Sequence, residues 1–135
     1  MYSIALIEDS PSDVMLLRMA LDKAGVEYEL DEISDGRSVV QSLHDRIAPP
    51  DLIITDFVVP GMDCERLLAE LQSVPRLRDV PVIVMSGMRN SDLTERLKGQ
   101  VADHIVKPAN LAGWREIGER VRYWLERAKG AEGGA

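Results

Sequence analysis

Residues 51–56 read DLIITD, a short apolar run that ends in the carboxylate of Asp56. Consecutive apolar residues with β-branched members indicate a strand that is covered on both faces, as in a parallel sheet. A carboxylate at the end of such a strand contributes nothing to its packing. Asp56 is therefore a candidate functional residue, and its surroundings depend on how the other strands are arranged.

Further segments with the same character predict the rest of the fold. Apolar runs predict buried strands at residues 4–7, 81–85 and 105–106, and the alternating residues 26–31 predict an exposed edge strand. Helices are predicted from the Ser10-Pro11 start to Gly25, from Val39 to Ile47, and over residues 65–71, 91–98 and 110–128. This alternation favours an α/β fold with a doubly wound, five-stranded parallel sheet of the flavodoxin-like strand order 2-1-3-4-5. The domain is expected to span residues 1–128, and residues 129–135 to form a flexible tail.

The composition excludes several classes of function. Of the 135 residues, 16 are basic and 23 are acidic, which gives a formal net charge of −7. That charge opposes binding to nucleic acid or to an anionic membrane, so neither is expected as a partner. Cys64 is the single cysteine, which excludes an internal disulfide and a Cys-rich zinc site and fits a cytoplasmic location. The N-terminal residues show neither a signal peptide nor a membrane span.

Polar residues follow four of the predicted strands. Glu8 and Asp9 follow the first strand and Asp56 ends the third, while Ser86 and Lys107 follow the fourth and fifth. In doubly wound sheets, ligands bind beyond the carboxyl ends of the strands, where the strand order reverses. We therefore expect these five side chains to converge at one edge of the sheet.

Three converging carboxylates repel one another unless a cation lies among them. Oxygen ligands of this kind suit Mg²⁺, which keeps several waters and accepts a phosphate oxygen. Around a phosphoryl group on Asp56, the metal, the Lys107 ammonium and the Ser86 hydroxyl could each contact one oxygen. Carboxylates are known phosphoryl acceptors, so Asp56 is the predicted nucleophile.

Four segments carry a resemblance to a known family. IEDSPSD (residues 7–13), TDFVVPGMD (residues 55–63), Ser86-Gly87 and Lys107-Pro108 resemble the receiver domains of two-component response regulators. The likeness covers roughly residues 2–128. It implies a phosphoacceptor with self-catalysed phosphorylation and dephosphorylation rather than a classical enzyme.

The resemblance also implies a role for each matching residue. Asp56 matches the phosphoaccepting aspartate, and Glu8 and Asp9 match the acidic pair that holds Mg²⁺, with the backbone carbonyl of Val58 as a further ligand. Ser86 matches the family's Ser or Thr, and Lys107 matches the lysine that contacts the phosphoryl group. His104 stands where the family usually has an aromatic switch residue, so Ser86 and His104 are the predicted switch pair.

The implied partner is a sensor histidine kinase. EDSPSD, Asp35-Gly36 and RYWLERA (residues 122–128) resemble small, stand-alone response regulators that work with phytochrome-type histidine kinases. Output is then expected through contacts with a downstream protein target or phosphotransfer protein. A homodimer through the last helix, which carries Trp114 and Trp124, is a further option, although these residues equally suit the core.

Other interpretations are weaker. The same fold could serve as a phosphorylation-independent interaction module, but that function does not require the five polar residues. Asp56 and Lys107 could form an inert ion pair, and Glu8-Asp9 could merely favour the start of the first helix. A hydrolase is disfavoured because Asp56 is followed by FVVP rather than a DxDxT-like motif, and VMSGM (residues 84–88) does not match GxSxG.

Overall fold

A five-stranded parallel sheet organises the chain in the computed structural model, which describes residues 1–59, 61–87 and 95–133. The sheet has the strand order β2-β1-β3-β6-β7, and a short antiparallel hairpin of β4 and β5 follows β3. With the hairpin set aside, this is the predicted order 2-1-3-4-5. The strands are β1 (Tyr2–Ile7), β2 (Tyr28–Ile33), β3 (Leu52–Asp56), β4 (Val58–Val59), β5 (Met62–Asp63), β6 (Val82–Ser86) and β7 (Asp103–Val106).

The helices are α1 (Pro11–Lys23), α2 (Gly36–His44), α3 (Cys64–Ser73) and a C-terminal helix (Leu111–Gly133). Polar side chains cap the first three at their N-termini. The Ser10 hydroxyl accepts the Asp13 N–H at 3.4 Å, and the carboxylates of Asp35 and Asp63 accept N–H groups two residues further on. Pro11 occupies the first turn of α1, where a missing N–H costs nothing.

Helices cover both faces of the sheet. Alternate residues of the buried strands point to opposite faces, so Ile54 packs toward α1 and the C-terminal helix while Ile53 packs toward α2 and α3. Gly118 allows a close approach between α1 and the C-terminal helix, because a Cβ there would lie 2.4 Å from the backbone oxygen of Ala20. Trp114 and Trp124 belong to this packing, Trp114 as a buried core residue and Trp124 at its border.

Some predicted elements differ from the observed ones. The second helix ends at His44 rather than Ile47, whose side chain is fully exposed, so the prediction for its C-terminus is wrong. Residues 91–94 of the helix predicted over 91–98 lie outside the described residues, while residues 95–97 are helical. The C-terminal helix continues to Gly133, past the predicted domain boundary at residue 128. None of the helices in the described ranges has the length and apolar character that a membrane span requires.

Candidate phosphoacceptor and metal site

The carboxyl ends of four strands meet at one edge of the sheet. Ile7 pairs with Thr55, Asp56 pairs with Met85, and Ser86 pairs with Val106, so the residues that follow β1, β6 and β7 lie close to Asp56. This is the edge at which the strand order reverses between β1 and β3. The sequence predicted this convergence.

Glu8, Asp9 and Asp56 form an acidic cluster. One carboxylate oxygen from each lies within 4.8 Å of the others, a spacing at which they could hold a metal ion. Backbone groups at the start of α1 fix the first of these side chains: Glu8 Oε1 accepts the N–H groups of Asp9 at 3.0 Å and Ser10 at 3.1 Å. The oxygen-only donor set is the chemistry that Mg²⁺ prefers. The cluster therefore fits the predicted metal.

Lys107 lies against this cluster and contacts three carboxylates. Its Nζ donates to Glu8 Oε2 at 2.8 Å, to Asp13 Oδ2 at 2.7 Å and to Asp56 Oδ2 at 3.1 Å. A lysine ammonium has three donor hydrogens, so these acceptors satisfy it completely. The contact with Asp56 agrees with the sequence prediction, whereas the contact with Asp13 was missed because Asp13 was interpreted only as part of the helix start.

Burial and charge act against each other within this group. The side chains of Lys107, Glu8 and Asp56 are 15%, 5% and 14% exposed. Burial raises the pKa of Glu8, and the Asp56 charge adds to that, while the hydrogen bonds from Lys107 and Ser10 oppose it. Burial lowers the pKa of Lys107, but the hydrogen bonds to Asp13, Glu8 and Asp56 outweigh it and hold that pKa above its usual value. Lys107 therefore stays an ammonium throughout the physiological pH range.

The backbone around Asp56 is held by hydrogen bonds on both sides. The Thr55 hydroxyl donates to the Asp56 carbonyl at 3.0 Å, and the Phe57 N–H donates to the Met85 carbonyl at 2.8 Å. The Val58 N–H lies 3.4 Å from Asp56 Oδ1, which closes the turn into the hairpin. Val58 thus lies beside the acidic cluster, as its predicted role requires, and that role stays a prediction.

Ser86 and His104 are joined by a hydrogen bond. Ser86 Oγ lies 3.0 Å from His104 Nε2, and the Lys107 N–H donates to the Ser86 carbonyl at 2.7 Å. Burial lowers the pKa of His104; the Asp103 charge raises it and the Arg120 charge lowers it. The neutral imidazole is therefore favoured near pH 7. The predicted switch pair is in direct contact in this structure.

Cys64 and His44 are not among the residues predicted for the site. Cys64 is buried in the core between the sheet and α3, and burial, with added repulsion from Asp63 and Asp56, raises the pKa of its thiol to about 11. His44 ends α2 and lies beside Asp45 on the surface. The burial of Cys64 is consistent with a structural role.

Residues 4–117 match the model of the response regulator receiver domain family, and the chain therefore belongs to that family. Receiver domains are phosphoacceptors of two-component systems rather than classical enzymes, and they work with sensor histidine kinases. The fold, the acidic cluster and the lysine all agree with this assignment. The family resemblance predicted from the sequence is confirmed.

Several known proteins are similar over most of the chain. Response regulator Rcp1 of Synechocystis is 28% identical, and the alignment covers 91% of this chain and 88% of Rcp1. The probable methanogenesis regulatory protein FilR2 of Methanothrix harundinacea is 25% identical, with 92% and 84% coverage. The phosphate regulon regulator PhoB of Rhizobium meliloti is 32% identical, and the alignment covers 93% of this chain but 53% of PhoB.

Solved structures show the same architecture. The phosphorylated cyanobacterial phytochrome response regulator RcpA is 31% identical with a TM-score of 0.81, covering 92% of this chain and 94% of RcpA. Rcp1 in its Mn²⁺-bound form is 27% identical, also with a TM-score of 0.81, covering 93% of this chain and 96% of that one. The receiver domain of the histidine kinase PA1611 of Pseudomonas aeruginosa holds Mg²⁺ in its active-site cleft; it is 25% identical, with a TM-score of 0.71 and coverage of 93% and 98%.

Proposed function

We propose that this chain accepts a phosphoryl group on Asp56 from a histidine kinase, in a reaction that needs Mg²⁺, and signals through protein contacts. The observation that carries the proposal is the convergence of Glu8, Asp9 and Asp56 with Lys107 at the edge of the sheet. An inert ion pair between Asp56 and Lys107 would not require two further acidic side chains. The phosphorylated and metal-bound relatives support the same chemistry by analogy.

The reaction is a transfer between two nucleophiles. An oxygen of Asp56 attacks the phosphorus of a phosphohistidine, and the new O–P bond forms as the P–N bond breaks. The electron pair of the P–N bond goes to the imidazole of the kinase. The signal ends by hydrolysis: water attacks the phosphorus, the O–P bond to Asp56 breaks, and the free Asp56 carboxylate and inorganic phosphate are released.

The side chains around Asp56 stabilise the charge of that transfer. Glu8, Asp9 and Asp56, with the backbone carbonyl of Val58, would hold Mg²⁺, which when bound neutralises negative charge on the phosphoryl oxygens. The Lys107 ammonium, already 3.1 Å from Asp56, contacts one phosphoryl oxygen. The phosphorylation and dephosphorylation are therefore self-catalysed, since the chain supplies every group except the donor and the metal.

Signalling requires that the phosphoryl group changes the surface of the domain. Ser86 leaves His104 to contact a phosphoryl oxygen, and the release of His104 alters the surface beside the start of β7. We propose a phytochrome-type sensor kinase as the donor, because RcpA and Rcp1 are similar to this chain over more than nine-tenths of it. The output is read by a downstream protein or a phosphotransfer protein, and we propose that this relay operates in the cytoplasm.

Intact-protein mass spectrometry tests the proposal. The protein is incubated with acetyl phosphate or phosphoramidate, with Mg²⁺ or with EDTA, and compared with Asp56→Asn. Asp51→Asn is the matched control, since Asp51 precedes the opposite end of the same strand and binds the Ser3 N–H.

A single Mg²⁺-dependent phosphoryl adduct is expected on the parent and on Asp51→Asn, and none on Asp56→Asn. An equal adduct on Asp56→Asn would show that Asp56 is not the acceptor. No adduct on the parent with either donor would favour the phosphorylation-independent interaction module.

A further inference from the structure

Asp13 contacts the predicted catalytic lysine although it is not one of the residues that the family resemblance assigns. Its Oδ2 atom lies 2.7 Å from Lys107 Nζ, the shortest of the three contacts of that ammonium. Asp13 lies in the first turn of α1, where its own N–H is held by the Ser10 hydroxyl. The carboxylate is therefore presented from a rigid element, whereas Lys107 follows the end of β7.

The three carboxylates that bind Lys107 differ in what else they do. Glu8 and Asp56 belong to the acidic cluster that could hold a metal, and Asp13 lies outside that cluster within the part of the chain that the structure describes. Metal binding uses oxygens of Glu8 and Asp56, and phosphorylation uses an oxygen of Asp56, so their contacts with Lys107 change during the reaction. Asp13 binds neither the metal nor the phosphoryl group, so its contact with Lys107 can persist throughout.

We propose that Asp13 is a positioning residue that holds the Lys107 ammonium beside Asp56 while the other two contacts are exchanged for metal and phosphoryl oxygens. A lysine side chain has four rotatable methylene groups and loses considerable freedom when its head is fixed. Asp13 fixes the head before the phosphoryl group arrives. The ammonium then meets the developing charge without having to be ordered during the transfer.

This inference rests on the proposed function, because it presupposes that Asp56 accepts the phosphoryl group. It predicts that Asp13 acts through Lys107 and not through the net charge of the site or the stability of α1. A double-mutant cycle distinguishes these possibilities, since a residue that acts through another loses its effect when that other residue is removed.

The experiment measures the initial rate of adduct formation from acetyl phosphate at saturating Mg²⁺ for the parent, Asp13→Asn, Lys107→Met and the double variant. Asp13→Asn is expected to slow the parent by about threefold to tenfold, within the range seen for contacting pairs. In the Lys107→Met background the same change is expected to alter the rate by less than about twofold. Asp13→Glu restores a carboxylate at this position and should recover most of the rate.

Asp45→Asn serves as the charge control, because it removes the same charge from an exposed residue beyond the end of α2. An equal slowing by Asp13→Asn in both backgrounds would overturn the inference, as would an unchanged or faster rate in the parent background. Failure of Asp13→Glu to recover the rate would also count against it. Absence of any adduct on the parent would instead remove the proposed function, and this inference with it, so the two failures are distinguishable.

Discussion

Replacement of Lys107 by methionine should destabilise the domain, and the structure allows the size of the effect to be worked out. The substitution keeps a long apolar side chain but removes the ammonium that contacts Glu8, Asp13 and Asp56 at 2.7 to 3.1 Å. These carboxylates are then left close together and largely buried, without the positive partner that the described residues supply. Breaking a buried ion pair by removing one partner typically costs about 3–5 kcal/mol.

Partial exposure reduces this figure. Lys107 is 15% exposed and Asp13 is 26% exposed, so solvent screens part of the interaction. We therefore expect the free energy of unfolding to fall by about 2–4 kcal/mol in EDTA near pH 7. Mg²⁺ should recover part of the loss, because it neutralises the same carboxylates and no longer competes with the ammonium for Glu8 and Asp56.

Urea unfolding followed by far-ultraviolet circular dichroism measures both effects. Lys98→Met is the matched control, since Lys98 is exposed and the substitution is chemically identical. Each tenfold gain in Mg²⁺ affinity would appear as about 1.4 kcal/mol of extra stabilisation at saturating metal. If Lys107→Met in EDTA lay within about 0.5 kcal/mol of Lys98→Met, the account of Lys107 as the compensating charge would be refuted.

Three further predictions concern the core and the switch pair. Gly118→Ala should lower the free energy of unfolding by about 1–2 kcal/mol, because the new Cβ would press on the Ala20 backbone. This cost outweighs the better helix propensity of alanine. Equal stability of the two proteins in urea unfolding would contradict the prediction. Burial lowers the pKa of His104, so on acidification the unfolded chain binds a proton at His104 before the folded chain does. The free energy of unfolding of the parent should therefore fall more steeply below about pH 6.5 than that of His104→Gln. Parallel plots of unfolding free energy against pH would contradict this. Because burial raises the pKa of the Cys64 thiol to about 11, native protein should react with iodoacetamide at pH 8 far more slowly than unfolded protein, and comparable rates would disprove its burial.

The sheet and its functional edge could be predicted because each depends on short local patterns. The apolar run of residues 52–55 identifies a buried strand wherever it occurs, and the polar residue that follows it must lie at the edge of the sheet. The same reasoning placed Glu8, Asp9, Ser86 and Lys107. The strand order was taken from the commonest order of five-stranded doubly wound sheets, and the structure has that order.

The misplaced end of α2 depends on a contact between distant parts of the chain. Ile47 continues the helical spacing of Val39 and Leu43, but α2 ends at His44, and the Arg76 guanidinium donates to the carbonyls of His44 and Ile47. That interaction is invisible in a local pattern. The hairpin of β4 and β5 was missed as well, because each of its strands has two residues and gives no periodicity.

Asp13 shows the same limit within the site. Its position three residues after Ser10 suits the start of a helix, and that local explanation was sufficient by itself. Only the folded chain shows that this first turn lies against Lys107, which is 94 positions away. The family resemblance predicted Ser86 and His104 as a switch pair. Only the structure shows that their side chains share a hydrogen bond.

The central claim is that Asp56 carries the phosphoryl group, and chemical trapping tests it most directly. Borohydride reduces an aspartyl phosphate to homoserine, which peptide mass spectrometry then locates. After incubation with acetyl phosphate and Mg²⁺, homoserine is expected at position 56 and at no other position, and none is expected when EDTA replaces the metal. Homoserine at another aspartate such as Asp9 or Asp13, with position 56 unchanged, would contradict the account.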